Sequence, residues 1–179
     1  MRITAAFLVL TCFAVATSAA QATQSEVEIG TSLGVTTYSR SGSSSVTVIG
    51  VPAGVGPAAQ PSIYATFFVT PSVMIEPQLS FAHLSGSGSS TTMVDLGAQL
   101  GYLVTPSERS SPYVAANVAW QTISDVSSFH GVGVGGALGY RARIGRGFAV
   151  RFEARYRHWM GDFDGLNEIG FGIGLGGII

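Results

Sequence analysis

The chain has 179 residues and a formal net charge of −1, and all nine of its basic residues are arginine. Charged residues make up 11% of the chain, whereas an average soluble domain has roughly 25%. This charge balance provides no electrostatic basis for nucleic-acid binding. Hydrophobic residues reach 46%, but no apolar run after the N-terminal segment approaches the length of a membrane-spanning helix.

The N-terminal segment has the features of a secretory signal peptide. Met1 and Arg2 start the chain with a positive charge, an apolar run covers 5–16, and small residues follow over 16–22. We predict a cleaved signal peptide over 1–22, since the apolar run is too short to span a bilayer as a helix. The single cysteine, Cys12, lies within it, so no disulfide framework is expected in the mature chain.

Beyond residue 22 the sequence alternates between apolar and polar residues in short segments. A period of two places side chains on opposite faces and predicts β-strands. The segments are 26–39, 63–69, 73–84, 91–104, 112–122, 130–144, 149–159 and 167–179. Each has about ten residues, which is the length of a tilted strand that crosses a bilayer.

The connections between these segments alternate in character. Loops rich in serine, glycine or aspartate follow the odd-numbered segments, at 39–45, 85–90, 124–128 and 161–165. Turns with proline or Arg-Gly follow the even-numbered segments, at 70–72, 105–111 and 145–147. This two-sided pattern predicts an up-and-down barrel. The stretch 46–61 fits three alternatives: an extension of the second strand, a bulged ladder, or a fold over the barrel mouth.

Two kinds of closed barrel fit this alternation, and they differ in which face points inward. A soluble barrel buries its apolar face, whereas an outer-membrane barrel turns its polar face inward. The polar faces of 131–139 and 168–176 consist almost entirely of glycine. As a water-exposed surface such faces offer little charge for solubility. Inside a narrow eight-stranded barrel they leave room for long side chains. We therefore predict an all-β protein, an eight-stranded antiparallel up-and-down transmembrane β-barrel over 23–179.

The inward face would then carry a set of buried charges. An unpaired buried charge is costly, so arginines and carboxylates on this face are expected to pair. The candidates are Glu28, Glu76, Asp95, Glu153 and Glu168, with Arg141, Arg143, Arg151, Arg155 and Arg157. Their near balance predicts an internal Arg–carboxylate network with a structural role, which fills the barrel instead of leaving a channel.

The opposite face fits a lipid environment. Aromatic residues lie toward the strand ends, where outer-membrane barrels carry aromatic girdles. They are Tyr102, Trp120, Tyr140, Phe148 and Tyr156.

Together, the signal peptide, the eight alternating segments, the inward charges and the alternating last strand resemble the OmpA/OmpX-type small outer-membrane barrels. The resemblance covers about 23–179 and implies localisation in the bacterial outer membrane, surrounded by its lipid. It also implies assembly by the barrel assembly machinery and periplasmic chaperones. The last residue is Ile179, where such proteins typically end in an aromatic residue. The implied function is non-enzymatic, structural in the envelope or surface-interacting, and the surface ligand stays open.

Two alternative functions come from particular residues. His83 and Ser85, both predicted to point outward, are similar to the His-x-Ser pair of outer-membrane lipid A deacylases. A serine nucleophile needs a base and an orienting acid, but the candidate acid, Asp95, is predicted on the opposite face. A lipid-modifying enzyme therefore stays an alternative, as does a small-solute pore.

The remaining motifs predict no cofactor and no metal. Glycine runs at 131–136 and 172–177 match the dinucleotide fingerprint, but no helical pattern follows them. His130 and His158 would approach each other only if their strands pair near the loop end, and two histidines are a poor metal site. The stretch 161–165 lacks the distal glutamate of a calcium loop, so we expect a solvated loop.

Overall fold

The computed structural model describes residues 26–42, 45–50, 63–86, 89–106, 110–124 and 128–179. These residues form strands β1 Val27–Arg40, β2 Val46–Gly50, β3 Ile63–Phe68, β4 Val73–Gly86, β5 Ser89–Leu103, β6 Ser110–Ser124, β7 Ser128–Ile144, β8 Phe148–Gly161 and β9 Leu166–Ile178. Within these ranges, no helix is long and apolar enough to cross a membrane. The predicted signal peptide lies outside the described residues.

The strands close into an eight-stranded antiparallel barrel, as predicted. Consecutive strands pair from β3 to β9, and β9 pairs with β1 along the whole length of both. β2 and β3 share one position in the barrel wall, because β2 pairs with residues 34–38 of β1 and β3 pairs with residues 27–31. Residues 46–50 therefore extend the second strand position, which was one of the three alternatives for this stretch. Residues 51–62 lie outside the described ranges.

The strand register sets the tilt of the barrel. The paired residues can be followed once around the wall, through Val27, Phe67, Ile75, Leu100, Ala116, Gly136, Tyr156, Ile169 and Thr37. The path leaves β1 at Val27 and returns at Thr37, a stagger of ten residues. Over eight strands this stagger corresponds to a tilt of about 40°, within the usual range for such barrels. The interior is then only wide enough to be filled by side chains.

The two ends of the barrel differ. Short turns at 69–72 and 145–147 lie at the end where β1 begins and β9 finishes, which we call the turn end. The opposite end, the loop end, carries the connections 87–88, 125–127 and 162–165. The prediction of a loop over 85–90 was wrong at its edges, since Ser85 pairs with Ser90 and Gly86 with Ser89. Backbone pairing extends this hairpin regardless of the loop-like composition.

The outward face is an apolar band. On β5 and the residue that follows it, the outward residues run from Val94 to Val104. Ten residues at a tilt of about 40° span about 25 Å, which is the height of the apolar band in outer-membrane barrels. Tyr102, Tyr140 and Phe148 are exposed near the turn end, and Tyr156 is exposed toward the loop end. The half-buried Trp120 also lies toward the loop end. This band has the height and composition of a lipid-facing surface.

Candidate functional site in the barrel interior

The ten charged residues predicted from parity all lie on the inward face. The structure buries Glu28, Glu76, Arg141, Arg151, Arg157 and Glu168, and partly buries Asp95, Arg143, Glu153 and Arg155. They form three groups, stacked from the turn end to the loop end, and the aromatic side chains that separate or bridge these groups were not predicted.

The first group lies at the turn end. Arg141 donates from Nε to Oε2 of Glu28 at 2.7 Å and from Nη2 to Oε1 of Glu26 at 2.8 Å. Arg143 pairs with the other oxygen of Glu26 at 2.8 Å. The Arg141 guanidinium also lies 4.7 Å from the ring centre of Phe68. Glu26 was missing from the predicted network, although it shares the parity of Glu28.

The second group is centred on Arg151 and Glu76. Arg151 Nη2 donates to Glu76 Oε1 at 3.1 Å, and Nη1 pairs with Oε2 of the same carboxylate. The hydroxyl of Thr66 donates to Oε2, and Gln78 Nε2 donates to Oε1 at 2.8 Å. Both side chains of the ion pair are almost completely buried. This two-pronged geometry, which only arginine provides, satisfies both carboxylate oxygens in a site without bulk water.

Two tyrosines donate to carboxylates of the interior. Tyr64 stacks on the Arg151 guanidinium at 3.9 Å and donates its hydroxyl to Glu28 Oε1 at 3.0 Å. Tyr113 donates to Glu153 Oε2 at 2.7 Å, and Gln99 Nε2 donates to the same oxygen at 3.1 Å. Tyr64 therefore links the first two groups, and Glu153 joins the third group through Arg155 Nη1, which lies 3.9 Å from Glu153 Oε1.

The third group surrounds Glu168, below the loop end. Arg155 Nε donates to Glu168 Oε1 at 3.1 Å, and Arg157 Nη1 lies 3.8 Å from Oε2. Trp159 Nε1 also donates to Oε2, at 2.9 Å. Arg157 Nε donates to Asn117 Oδ1 at 3.1 Å. Trp159 continues the two-residue phase of the β8 arginines, and that phase was the available signal for its inward position.

Asp95 differs from the other nine charges. It makes no hydrogen bond and no ion pair within 4.0 Å to any residue in the described ranges. It lines an internal cavity of about 60 Å³ together with Tyr38, Arg155, Arg157 and Glu168. The cavity is polar and large enough to hold water, which can solvate an unpaired carboxylate.

Apolar layers lie above and below the charges. At the turn end Met74, Leu103 and Tyr113 pack together, with Phe68 and Ala115 against them. At the loop end Ala119, Trp159 and Phe163 pack together, with Ile123 and Leu166 against them. Phe163 turns into the barrel and meets Trp159 edge-on, at 6.0 Å between ring centres. The prediction of a solvated loop over 161–165 was thus wrong for Phe163, because the apolar interior beneath the turn offers this ring a buried site.

Inward glycines make room for these side chains. A Cβ at Gly139 would meet the ring of Tyr113, and one at Gly30 would meet the ring of Tyr64. The Gly-rich faces therefore accommodate tyrosine rings as well as the predicted arginines.

Gly135→Ala is expected to destabilise the barrel by about 1–3 kcal/mol through overpacking. A Cβ at Gly135 would meet the carbonyl oxygen of Tyr156 and lie 2.8 Å from Arg157 Cα, and backbone atoms have little freedom to move. The adjacent Gly136 is the matched control, since a Cβ there meets only the carbonyl oxygen of Ala115, at 3.1 Å. Urea unfolding in vesicles measures both variants, and equal losses of stability would contradict this explanation.

The hydrolase alternative has little geometric support. His83 Nδ1 shares a hydrogen bond with Thr92 Oγ1 at 2.9 Å, and Ser85 pairs across the hairpin with Ser90. Asp95 lies on the inward face, on the other side of the wall. The described residues therefore do not assemble His83, Ser85 and Asp95 into a nucleophile with its base and acid.

The other histidines and the aspartate-containing turn have separate partners. His130 shares a hydrogen bond with Thr122 Oγ1 at 2.9 Å, whereas His158 bonds Asn167 at 3.0 Å, so the strands do not bring the two histidines together. Asp162 accepts the backbone N–H of His130 at 2.7 Å. Across the described part of the chain, no group of three or more His, Cys, Asp or Glu is placed to hold a metal.

The glycine runs at 131–136 and 172–177 lie within β7 and β9 and continue as strands. Neither run opens a helix, so neither provides the helix N-terminus that a dinucleotide phosphate requires.

Comparisons with known proteins agree with this geometry. The structure is similar to Neisserial surface protein A, with a TM-score of 0.62 and 13% identity over 87% of this chain and 97% of that one. It is also similar to Ail, the attachment invasion locus protein of Yersinia pestis, with a TM-score of 0.51 and 12% identity over 87% and 97% of the two chains.

No curated protein sequence matches the chain. A family model described as the outer membrane protein beta-barrel domain matches residues 5–176. The closed barrel, its polar interior, its apolar outer band and this match have one explanation: the chain belongs to the outer membrane protein beta-barrel domain family.

Proposed function

We propose that this protein is a non-enzymatic barrel with a structural role in the outer membrane, where it contributes to envelope integrity. One observation carries the proposal: the interior consists of a paired charge network closed by an apolar layer at each end. Such an interior stabilises a rigid wall, and its side chains fill much of the lumen between the described strands. The ten charged residues predicted from the sequence are assigned a structural role.

The short connections at the loop end support this role. The connections between β4 and β5, β6 and β7, and β8 and β9 have two, three and four residues, and the connection between β1 and β2 has five. Connections of this length are short for the extracellular side, where outer-membrane barrels usually carry their longer loops. We therefore favour envelope integrity over attachment, although the fold is shared with an attachment protein.

Biogenesis is part of the proposal. The barrel assembly machinery and periplasmic chaperones are the proposed partners, together with the surrounding lipid. The closure that this assembly must achieve is the β1–β9 seam, beside which Ile179 N donates to Val27 O at 2.9 Å.

Planar bilayer recordings test the closed interior. We expect no current steps from purified, folded protein, because both apolar layers and the ion pairs block the lumen. An established porin inserted by the same procedure provides the positive control. Discrete current steps from the wild-type protein would contradict the structural role and support the pore.

A further inference from the structure

The outward face carries a repeated polar feature at the loop end. On four pairs of adjacent strands, one outward residue hydrogen-bonds its cross-strand neighbour at 2.9–3.0 Å. The pairs are Thr37–Thr47, His83–Thr92, Thr122–His130 and His158–Asn167. We call these eight residues the polar ring.

The register places the polar ring at one level. With the ten-residue stagger and a tilt of about 40°, the eight residues lie within about 7 Å of one another along the barrel axis. Phe81, Trp120 and Ile169 lie just below them, at the loop-side edge of the apolar band. The ring therefore lies at the headgroup level of the leaflet on the loop side. We take this side, opposite the end where β1 begins and β9 finishes, to be the outer leaflet.

The hydrogen bond at His158 defines the chemistry of its free nitrogen. Asn167 Oδ1 is only an acceptor, so His158 Nδ1 must carry the proton that it donates at 3.0 Å. In the neutral ring, Nε2 then has a lone pair that needs a donor. The hydroxyl of Tyr156 donates to the same Oδ1 at 2.8 Å, so its own oxygen is free to accept.

The other two histidines follow the same arrangement. His83 and His130 also engage Nδ1, with Thr92 and Thr122. None of the three Nε2 atoms makes a hydrogen bond to a residue in the described ranges. All three therefore remain available to the headgroup layer.

The ring is matched to neutral partners. Its members are threonine, histidine and asparagine, so it contains neither a carboxylate nor a guanidinium. The nearby Arg40 donates to the carbonyl oxygen of Asp164 at 2.6 Å. Lipid phosphates are usually bound by arginine or lysine, whereas hydroxyl and amide groups suit imidazole and threonine. Trp120 adds a flat apolar surface, stacked on His130 with 8° between the rings.

We infer that the polar ring binds the sugar hydroxyl and amide groups of the outer-leaflet glycolipid, and so holds the barrel at a fixed depth. The inference rests on the membrane placement of the barrel and not on its proposed role in envelope integrity. A negative result for glycolipid binding would therefore not contradict the role in envelope integrity, and the reverse also holds.

The test compares lipid binding by the wild type and by a triple variant, His83→Phe/His130→Phe/His158→Phe. Phenylalanine keeps a ring of similar size and removes both nitrogens. Titration with lipopolysaccharide, read by native mass spectrometry, should show about tenfold weaker binding to the triple variant, because several hydrogen bonds are lost. Binding to phosphatidylglycerol should not change. Enzymatically dephosphorylated lipopolysaccharide should bind the wild type as well as the untreated form does.

Controls distinguish loss of glycolipid binding at the polar ring from a general effect of the substitutions on the barrel. Tyr102→Phe removes an exposed hydroxyl near the turn end and should leave glycolipid binding unchanged. Faster gel mobility of unboiled samples reports that each variant is a closed barrel, and the single His158→Phe variant is titrated if the triple variant does not close. Equal glycolipid binding by wild type and variant would overturn the inference, since the ring would then contact only interfacial water. Loss of binding after dephosphorylation would overturn it in favour of a phosphate site.

Discussion

Arg151→Ala is expected to lower the free energy of unfolding by about 3–5 kcal/mol, because it leaves a buried carboxylate without its countercharge. Glu76 is completely buried, and Arg151 contacts both of its oxygens. After the substitution Thr66 and Gln78 would be the remaining hydrogen-bond donors to Glu76 among the described residues. Urea unfolding of protein folded into lipid vesicles, followed by tryptophan fluorescence, measures the change.

Two comparisons make this result specific. Arg146 is exposed in the turn between β7 and β8, so Arg146→Ala should have almost no effect. The double variant Glu76→Gln/Arg151→Met removes both charges and should recover much of the stability, since a neutral pair leaves no uncompensated charge. A loss below 1 kcal/mol for Arg151→Ala would show that water reaches Glu76.

Arg155 should contribute less than Arg151 to the free energy of unfolding. Its side chain is 23% exposed, and its main partner Glu168 also contacts Arg157 and Trp159. Because Glu168 keeps two neighbours in Arg155→Ala, this variant is expected to lose less stability than Arg151→Ala in the same measurement.

Leu138→Arg is expected to destabilise the barrel by about 2–4 kcal/mol, because it places a charge on the lipid face near the bilayer midplane. Leu138 is 63% exposed and lies opposite Ala154 of β8, in the middle of the apolar band. In a soluble barrel the same exposed position would face water, and the substitution would have little effect. The variant therefore tests which solvent meets this face.

The matched control uses the same strand. Ser128 is exposed at the loop end of β7, where an arginine near the interface costs only about 0–1 kcal/mol. The free energy of unfolding of both variants, measured in vesicles, separates the effect of depth in the bilayer from a general effect of introducing arginine. Equal losses for Leu138→Arg and Ser128→Arg would contradict the lipid-facing assignment.

The sequence by itself determined which face each residue of a strand occupies. The period of two is a local property of the backbone, so the inward position of Arg151 and Glu76 and the outward position of Leu138 follow from counting. The sequence also indicated that the apolar face meets lipid. Faces made of glycine leave room for long side chains inside a barrel, whereas they would make a poor water-exposed surface. The eight-stranded barrel and its family were predictable on these grounds.

Only the tertiary structure decided which inward residues meet. Arg151 and Glu76 are 75 residues apart, and their contact depends on the ten-residue stagger around the barrel, which alternation does not encode. The same holds for the common level of the polar ring and for the position of β2 beside β1. Phe163 could not be placed from the sequence, because it lies in a turn, where no alternation indicates the direction of a side chain. Its inward position depends on the contact with Trp159. Alternation assigns a residue to a face, but cross-strand register assigns its height and its neighbours.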